Sequence, residues 1–518
     1  MAREVKIKTA TGEYKPVNLG ENFKLGETLD LSKKSGEDII RETREYELIT
    51  PLFGGGAKTK NADEISVIRA TEIRGHLRFW WRATRGGRFG GDLTEMKKYE
   101  DAIFGSTSNL SALQIEVLTE RDYRTRYEKN QELKQWTYKK IRKLDGTPQT
   151  LPSESVRDFQ YIAFPLQPES NDEPGWQSEL SVRVRFKIAI SYPTKFQIWS
   201  KEQNGNLARD IRGHHMIEKS FNSEIQAALW AWGVFGGIGA RTRRGFGALK
   251  LIKKNDIACQ DEMFVSNDKL FESVRSFVIG GKAPRAVPYL DRNLRLVVFD
   301  LSANVIETWK ALVSKLKEFR QQRKTKQKRD SNGHLEKDRK GNVIYVPCRS
   351  EWNEPEYIRE LTNQRLAKHG KIGRLQIEKF PRAAFGMPIE FKFKKHDTWE
   401  KNKHGIKSDD PSFDPRKTSL IPTGFERFSS PLILRPISRA DHTAVGIALI
   451  LENAQSIDEI GLTLMSRDHP KGEIRSGLIS GLDEAAKEHE QIKAIDGADL
   501  LSTGDVHLPR GVQNRGQV

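Results

Sequence analysis

The chain has 518 residues, too many for one ordinary hydrophobic core, so two domains with insertions are expected. Hydrophobic residues make up 36% and charged residues 30%, which fits folded cores interrupted by solvated loops and excludes a wholly disordered chain. A formal net charge of +17 favours a polyanionic partner. That partner is nucleic acid or an anionic membrane surface, between which composition does not choose, and no apolar run is long enough to span a bilayer. The start, Met1 to Lys8, is charged and lacks a signal-peptide core. The two cysteines, Cys259 and Cys348, exclude both a disulfide framework and a cysteine zinc site. A cytoplasmic protein without metal or cofactor is the expectation.

In chain order, Tyr46 to Leu52 reads as a strand that ends in a glycine turn, Gly54 to Gly56. Ala70 to Arg85 reads as a helix with Thr71 as cap and Ile73, Leu77, Trp80 and Trp81 on one apolar face. Ser181 to Ser191 alternates as a strand. Ser223 to Phe235 is a second amphipathic helix leading into a glycine- and arginine-rich loop, and Ala248 to Ile252 is a short strand. The pattern restarts with a strand at Leu294 to Leu301 and a helix at Ile306 to Phe319. Further strands are expected at Ile389 to Phe393, Pro431 to Leu434 and Ala444 to Leu451. The expected class is therefore α+β, with strand–helix–strand openings in both halves that suggest two split βαβ units. The domains are placed at 1–285 and 286–490, with a tail at 491–518 and insertions near 120–160, 321–345 and 394–417. The first insertion reads as charged and partly helical, and the second as a basic segment that is either solvated or in contact with RNA.

Two segments point to function. On the first helix, Arg74, Arg78, Arg82 and Arg85 recur at spacings of four, four and three. They form one basic stripe beside Gly75 with no acid interleaved, and guanidinium forks suit phosphate oxygens. Trp80 and Trp81 fall on the apolar side and are expected in the core. The second segment runs from Gly233 to Gly247. Gly236, Gly237 and Gly239 would let backbone approach a phosphate, Arg241, Arg243 and Arg244 supply charge, and Phe246 either stacks on a base or packs inward. The loop lacks the Gly-Lys-Ser/Thr ending of a Walker A motif. Thr242 stands where a dinucleotide fingerprint needs its third glycine.

Together these motifs resemble the RAMP superfamily of CRISPR effector proteins, and within it the largest RAMP subunit of the type III-B Cmr complex. The resemblance rests on Thr50 to Gly56, Ile73 to Arg82, Ile103 to Ser106 and the loop Gly236 to Gly247. Weaker matches are Phe385 to Pro388 and Arg427 to Leu432. It implies two ferredoxin-like (RRM-type) domains and a non-catalytic subunit that holds the 3′ part of the CRISPR RNA (crRNA) near where target RNA first pairs. It also implies crRNA, target RNA and other RAMP subunits as partners. Arg74, Gly75, Arg78 and the loop from Gly236 to Arg244 would then face RNA, with Arg82 continuing the stripe. The alternative is a RAMP endoribonuclease with His76 as acid or base. His214, His215 and Asp63 have weaker surroundings for such a role.

Overall fold

The structure of the chain is a computed structural model. It describes residues 6–8, 14–16, 39–56, 67–107, 109–118, 138–142, 148–152, 159, 161–163, 184–201, 215–259, 267–321, 323–327, 330, 334–339, 341–350, 352, 354–361, 380–391, 393, 414–415, 418–423, 425–453 and 462–466. Residues 1–39 form one compact unit, in which Lys6–Lys8 pairs antiparallel with Tyr14–Pro16. Residues 40–518 form the other.

In the larger unit the first sheet has five strands: β1 (Ile39–Leu48), β2 (Gln114–Leu118), β3 (Arg185–Pro193), β4 (Leu249–Lys254) and β5 (Ile257–Ala258). Their spatial order is β5-β4-β1-β3-β2. β3 alternates buried and less buried residues along its length, as a strand with one face on a core must. β4 lies antiparallel to β1 with a bulge between Leu251 and Lys253, and β2 lies antiparallel to β3 with Ile115 opposite Ile190.

The helices α1 (Ala70–Arg85) and α3 (Phe221–Phe235) pack side by side, with α2 (Leu93–Phe104) between them in sequence. α3 buries Ala227, Ala228, Ala231, Trp232 and Val234 around most of its circumference, the pattern of a helix enclosed on several sides. Its start is fixed by Ser220, whose hydroxyl accepts from the Ser223 N–H. Helix α4 (Asn267–Phe277) follows the sheet and stacks Phe277 on Trp230.

The second half contributes β6 (Arg295–Ala303), α5 (Val305–Gln321), β7 (Leu432–Ser438) and β8 (Ala444–Ile450), with sheet order β6-β8-β7 and antiparallel pairing throughout. Every residue of β8 is buried. The period of two explains this. Val445, Ile447 and Leu449, with Ile433 and Ile437, join the core of the first half. Ala448 and Ile450, with Leu432 and Leu434, face Leu312 and Leu316 of α5. Gly446 lets α5 approach, because a Cβ there would lie 3.0 Å from the Leu312 side chain. One apolar core thus crosses residue 285.

A separate small core gathers Tyr357 and Ile358 of α6 (Glu354–Leu361), Phe380 and the sheet formed by Ile389–Phe391, Thr418–Pro422 and Leu462–Ser466. The mixed α+β class expected from the sequence is the one found. One expectation is corrected: Thr71 lies inside α1, whose cap is Arg69 without a side-chain bond. Of the segment read as partly helical, Tyr138–Arg142 and Pro148–Pro152 pair as antiparallel strands, and most of the rest lies outside the described residues. In the basic segment after α5, Arg323–Gln327 and Tyr345–Ser350 form a hairpin. Among the described residues, no helix is long and apolar enough to cross a membrane.

Candidate nucleic-acid interface

On α1 the apolar side goes inward as expected. Ile73, Leu77, Trp80 and Trp81 are buried, and the Trp81 Nε1–H donates to Glu224 Oε2 at 2.7 Å. The basic side differs from the expected uncompensated stripe. Arg82 grips Glu100 of α2 with Nε and Nη2, both at 2.5 Å. Arg78 donates through Nη2 to the Gly105 carbonyl at 2.7 Å, and its Nε lies 3.3 Å from Glu100. A cation against the last carbonyls of α2 also complements that helix's dipole. Arg85 is buried 3.6 Å from Glu224 and donates to the carbonyls of Phe277 and Ser223. The acids that neutralise the row come from α2 and α3, so the helix sequence alone could not reveal them.

Arg74 is different. It has no hydrogen bond or ion pair among the described residues, and its Nε, like those of Arg78 and Arg85, is buried without a hydrogen-bond partner. Beside it Gly75 is exposed, and a Cβ built there meets nothing within 4 Å. The backbone of α1 is therefore bare at Gly75, next to an uncommitted guanidinium. Similar unpartnered buried atoms occur at Arg69 Nε and Glu72 Oε2, toward the helix start. His76 Nε2 lies 3.7 Å from Glu72 Oε1, and that same oxygen accepts the Gly239 N–H at 2.8 Å. Glu72 thus ties α1 to the glycine loop, with His76 beside it.

The glycine loop is packed inward, which corrects its reading as bare backbone presented to a phosphate. A Cβ at Gly236 would lie 2.5 Å from Trp80 Nε1, and one at Gly237 would lie 2.8 Å from the Gly247 carbonyl. At Gly239, with φ +83°, it would lie 2.6 Å from the Phe53 carbonyl. These glycines let the loop nest against α1 and against residues 50–53. Across that contact Ala240 N–H donates to Phe53 and Gly247 N–H to Pro51. Phe246 takes the inward option, buried against Phe53 and Trp309.

Two of the loop arginines, Arg243 and Arg244, reach into the second half. Arg243 donates to the Ser430 carbonyl at 2.5 Å and lies 5.5 Å over the Phe79 ring. Arg244 donates to the carbonyls of Leu432 and Phe385, and Arg241 to that of Ile162. Arg435, buried in β7, donates to the carbonyls of Gly236 and Leu249 at 2.6 Å each. Burial pushes the Arg435 guanidinium down to about 9. Burial, with the Arg320 charge next, does the same to Arg244. Both stay charged at neutral pH. Sequence reasoning missed Glu72, Glu100, Glu224 and Arg435. Of these only Arg435 carried a local signal, as a lone arginine in the apolar run Leu432 to Ile437. Asp63, His214, the His215 side chain and the tail at 491–518 lie outside the described residues.

Residues 45–250, which take in most of the sheet, the paired helices and the glycine loop, match the sequence model of the RAMP superfamily. The chain also resembles RAMP subunits of Cmr complexes. In sequence it is similar to the CRISPR system Cmr subunit Cmr1-2 of Pyrococcus furiosus, at 28% identity over 40% of this chain and 92% of that protein. It is similar also to Cmr1-1 of the same organism, at 24% identity over 38% of this chain and 44% of that protein. Among solved structures it aligns with apo Cmr1 of Pyrococcus furiosus at TM-score 0.40 and 15% identity, over 91% of this chain and 97% of that one. It aligns as well with a chain of the type III-B Cmr-beta complex bound to cognate target RNA and AMPPnP, at TM-score 0.38 and 14% identity, over 81% and 95%.

Proposed function

We propose that this chain is a non-catalytic, cytoplasmic RNA-binding subunit of a type III-B Cmr ribonucleoprotein complex. In this role it holds the 3′ region of the crRNA and assists capture of target RNA. Its relatives are named Cmr subunits, and the charge of +17 suits a polyphosphate partner. The first-half strand order β4-β1-β3-β2, with α1 after β1 and α3 after β3, supports reading that half as a ferredoxin-like RAMP domain. We keep the boundary near residue 285 as a proposal about domain organisation.

The observation that carries the RNA reading is the pairing of Arg74 with bare backbone at Gly75. A guanidinium left without an internal acid beside an open helix surface fits a ribose-phosphate strand that lies against the helix. Arg78 and Arg82 have side chains about a third exposed and border the same surface while holding α2. The loop residues Gly236, Gly237, Gly239, Arg243 and Arg244 act behind it, by fixing α1 against the second half, while Arg241 ties the loop to Ile162. Such contacts read backbone, so sequence is left to base pairing. The test is purification of the tagged chain from its host and sequencing of the RNA that comes with it. A uniform set of short guide RNAs, with other RAMP subunits present, is the expected result. A mixture of unrelated RNAs on a free monomer would refute the subunit reading and favour a general RNA chaperone.

A further inference from the structure

The second half offers a feature that the α1 reading does not use. Residues 425–430 lead from the strand Thr418–Pro422 back to β7, with 425–427 and 429 exposed. This return arm is anchored twice. Phe428 pairs with Met387 through two backbone hydrogen bonds, 3.0 and 3.2 Å, and the Ser430 carbonyl accepts from Arg243. Ahead of these anchors Phe425 is 55% exposed, and Arg427 is exposed with no hydrogen bond or ion pair among the described residues. A single exposed ring is ordinary on a protein surface, so what singles out Phe425 is its neighbour Arg427 and its place on an anchored loop.

Position links this loop to α1. Gly75 and Phe79 are four residues apart on α1 and share a face. Arg243 lies over the Phe79 ring and at the same time holds Ser430. One side chain therefore connects the bare face of α1 to the base of the loop. Arg243 thus leads from Phe79 to the loop that carries Phe425 and Arg427, a route for a strand held at Arg74 and Gly75. Exposed aromatic rings flanked by arginine are how proteins stack unpaired bases and take the adjoining phosphate. The carboxylate of Glu426 makes the tip of the loop neutral overall, so its attraction comes from a ring face rather than from bulk charge.

We infer that Phe425 stacks on an unpaired base, and that Arg427 contacts a phosphate, of the same RNA strand that α1 holds. The inference rests on the RNA-binding reading above, and its test separates the two. A labelled single-stranded RNA oligonucleotide is titrated with the full chain and with F425A, F425W, R427A and R74A over a range of salt. F425A should weaken binding by roughly 5- to 100-fold, the worth of one stacked base, with no change in salt slope. F425W should restore the affinity, and R427A should lower the log–log slope by about 0.7. Wild-type affinity for F425A together with a loss for R74A overturns this inference and leaves the α1 reading standing. Wild-type affinity for every variant overturns both. F425A that binds RNA normally but fails to assemble with other RAMP subunits would make the loop a protein contact, and that too overturns the inference.

Discussion

Gly75 gives a perturbation whose two effects have opposite signs. Replacing it by alanine adds a methyl group in the middle of α1, where the backbone is helical and a Cβ meets no protein atom within 4 Å. Nothing inside the protein resists the change, so folding should gain about 0.5–1 kcal/mol from the better helix former. The same methyl occupies space on the exposed face next to Arg74. If a phosphate lies there, one close charged contact is strained or lost, at about 1.5–3 kcal/mol. That corresponds to roughly 10- to 100-fold weaker binding. Urea unfolding reads the first effect, and fluorescence anisotropy with single-stranded RNA reads the second. Gly75→Ala should be more stable than wild type and bind RNA more weakly. A variant that is more stable and binds equally well would refute contact at this glycine. One that is less stable would refute the open surface itself.

Three further outcomes follow from how the arginines and glycines are engaged. Arg74→Ala should lower the log–log salt slope of RNA binding by about 0.7, whereas Arg82→Ala should act mainly on stability by unpairing Glu100. Equal loss of slope in both would contradict the distinction drawn between them. Arg435→Met keeps much of the side-chain volume but leaves the Gly236 and Leu249 carbonyls without a donor. Denaturation should register about 2 kcal/mol of lost stability, and a neutral result would contradict the role of Arg435 as a tie between β7 and the glycine loop. Gly239→Ala forces a Cβ into a left-handed conformation against the Phe53 carbonyl and should cost about 2 kcal/mol or more in folding. RNA affinity per folded molecule should stay unchanged; a selective loss of affinity would return Gly239 to the interface.

Local pattern alone makes the longest, most strongly apolar helices and strands of the larger unit legible. α1 runs over the same residues as its apolar period predicts, and α3 differs by two residues because Ser220 is the cap. β8 is readable as a strand from its apolar run. That the run is continuous because the strand separates two cores is not. The functional reading is harder. The α1 arginines look uncompensated in sequence because Glu100 and Glu224 lie on other helices, and only folding brings them to the row. The glycine loop has the composition of a phosphate cradle. Its glycines instead relieve contacts with Trp80, Gly247 and Phe53 that are set by tertiary packing. Helices α2, α4 and α6 fall outside the elements expected from sequence. Asp92 at the α2 cap, which accepts from the Glu95 N–H, is the available signal for the first of them.

The central claim is that RNA lies along the outward side of α1 near Arg74 and Gly75. Ultraviolet crosslinking of the RNA-loaded protein, read by mass spectrometry of the adducted peptides, tests it most directly. Adducts should concentrate within residues 69–79. Adducts confined to the basic hairpin between 323 and 350, with α1 unmodified, would contradict the account.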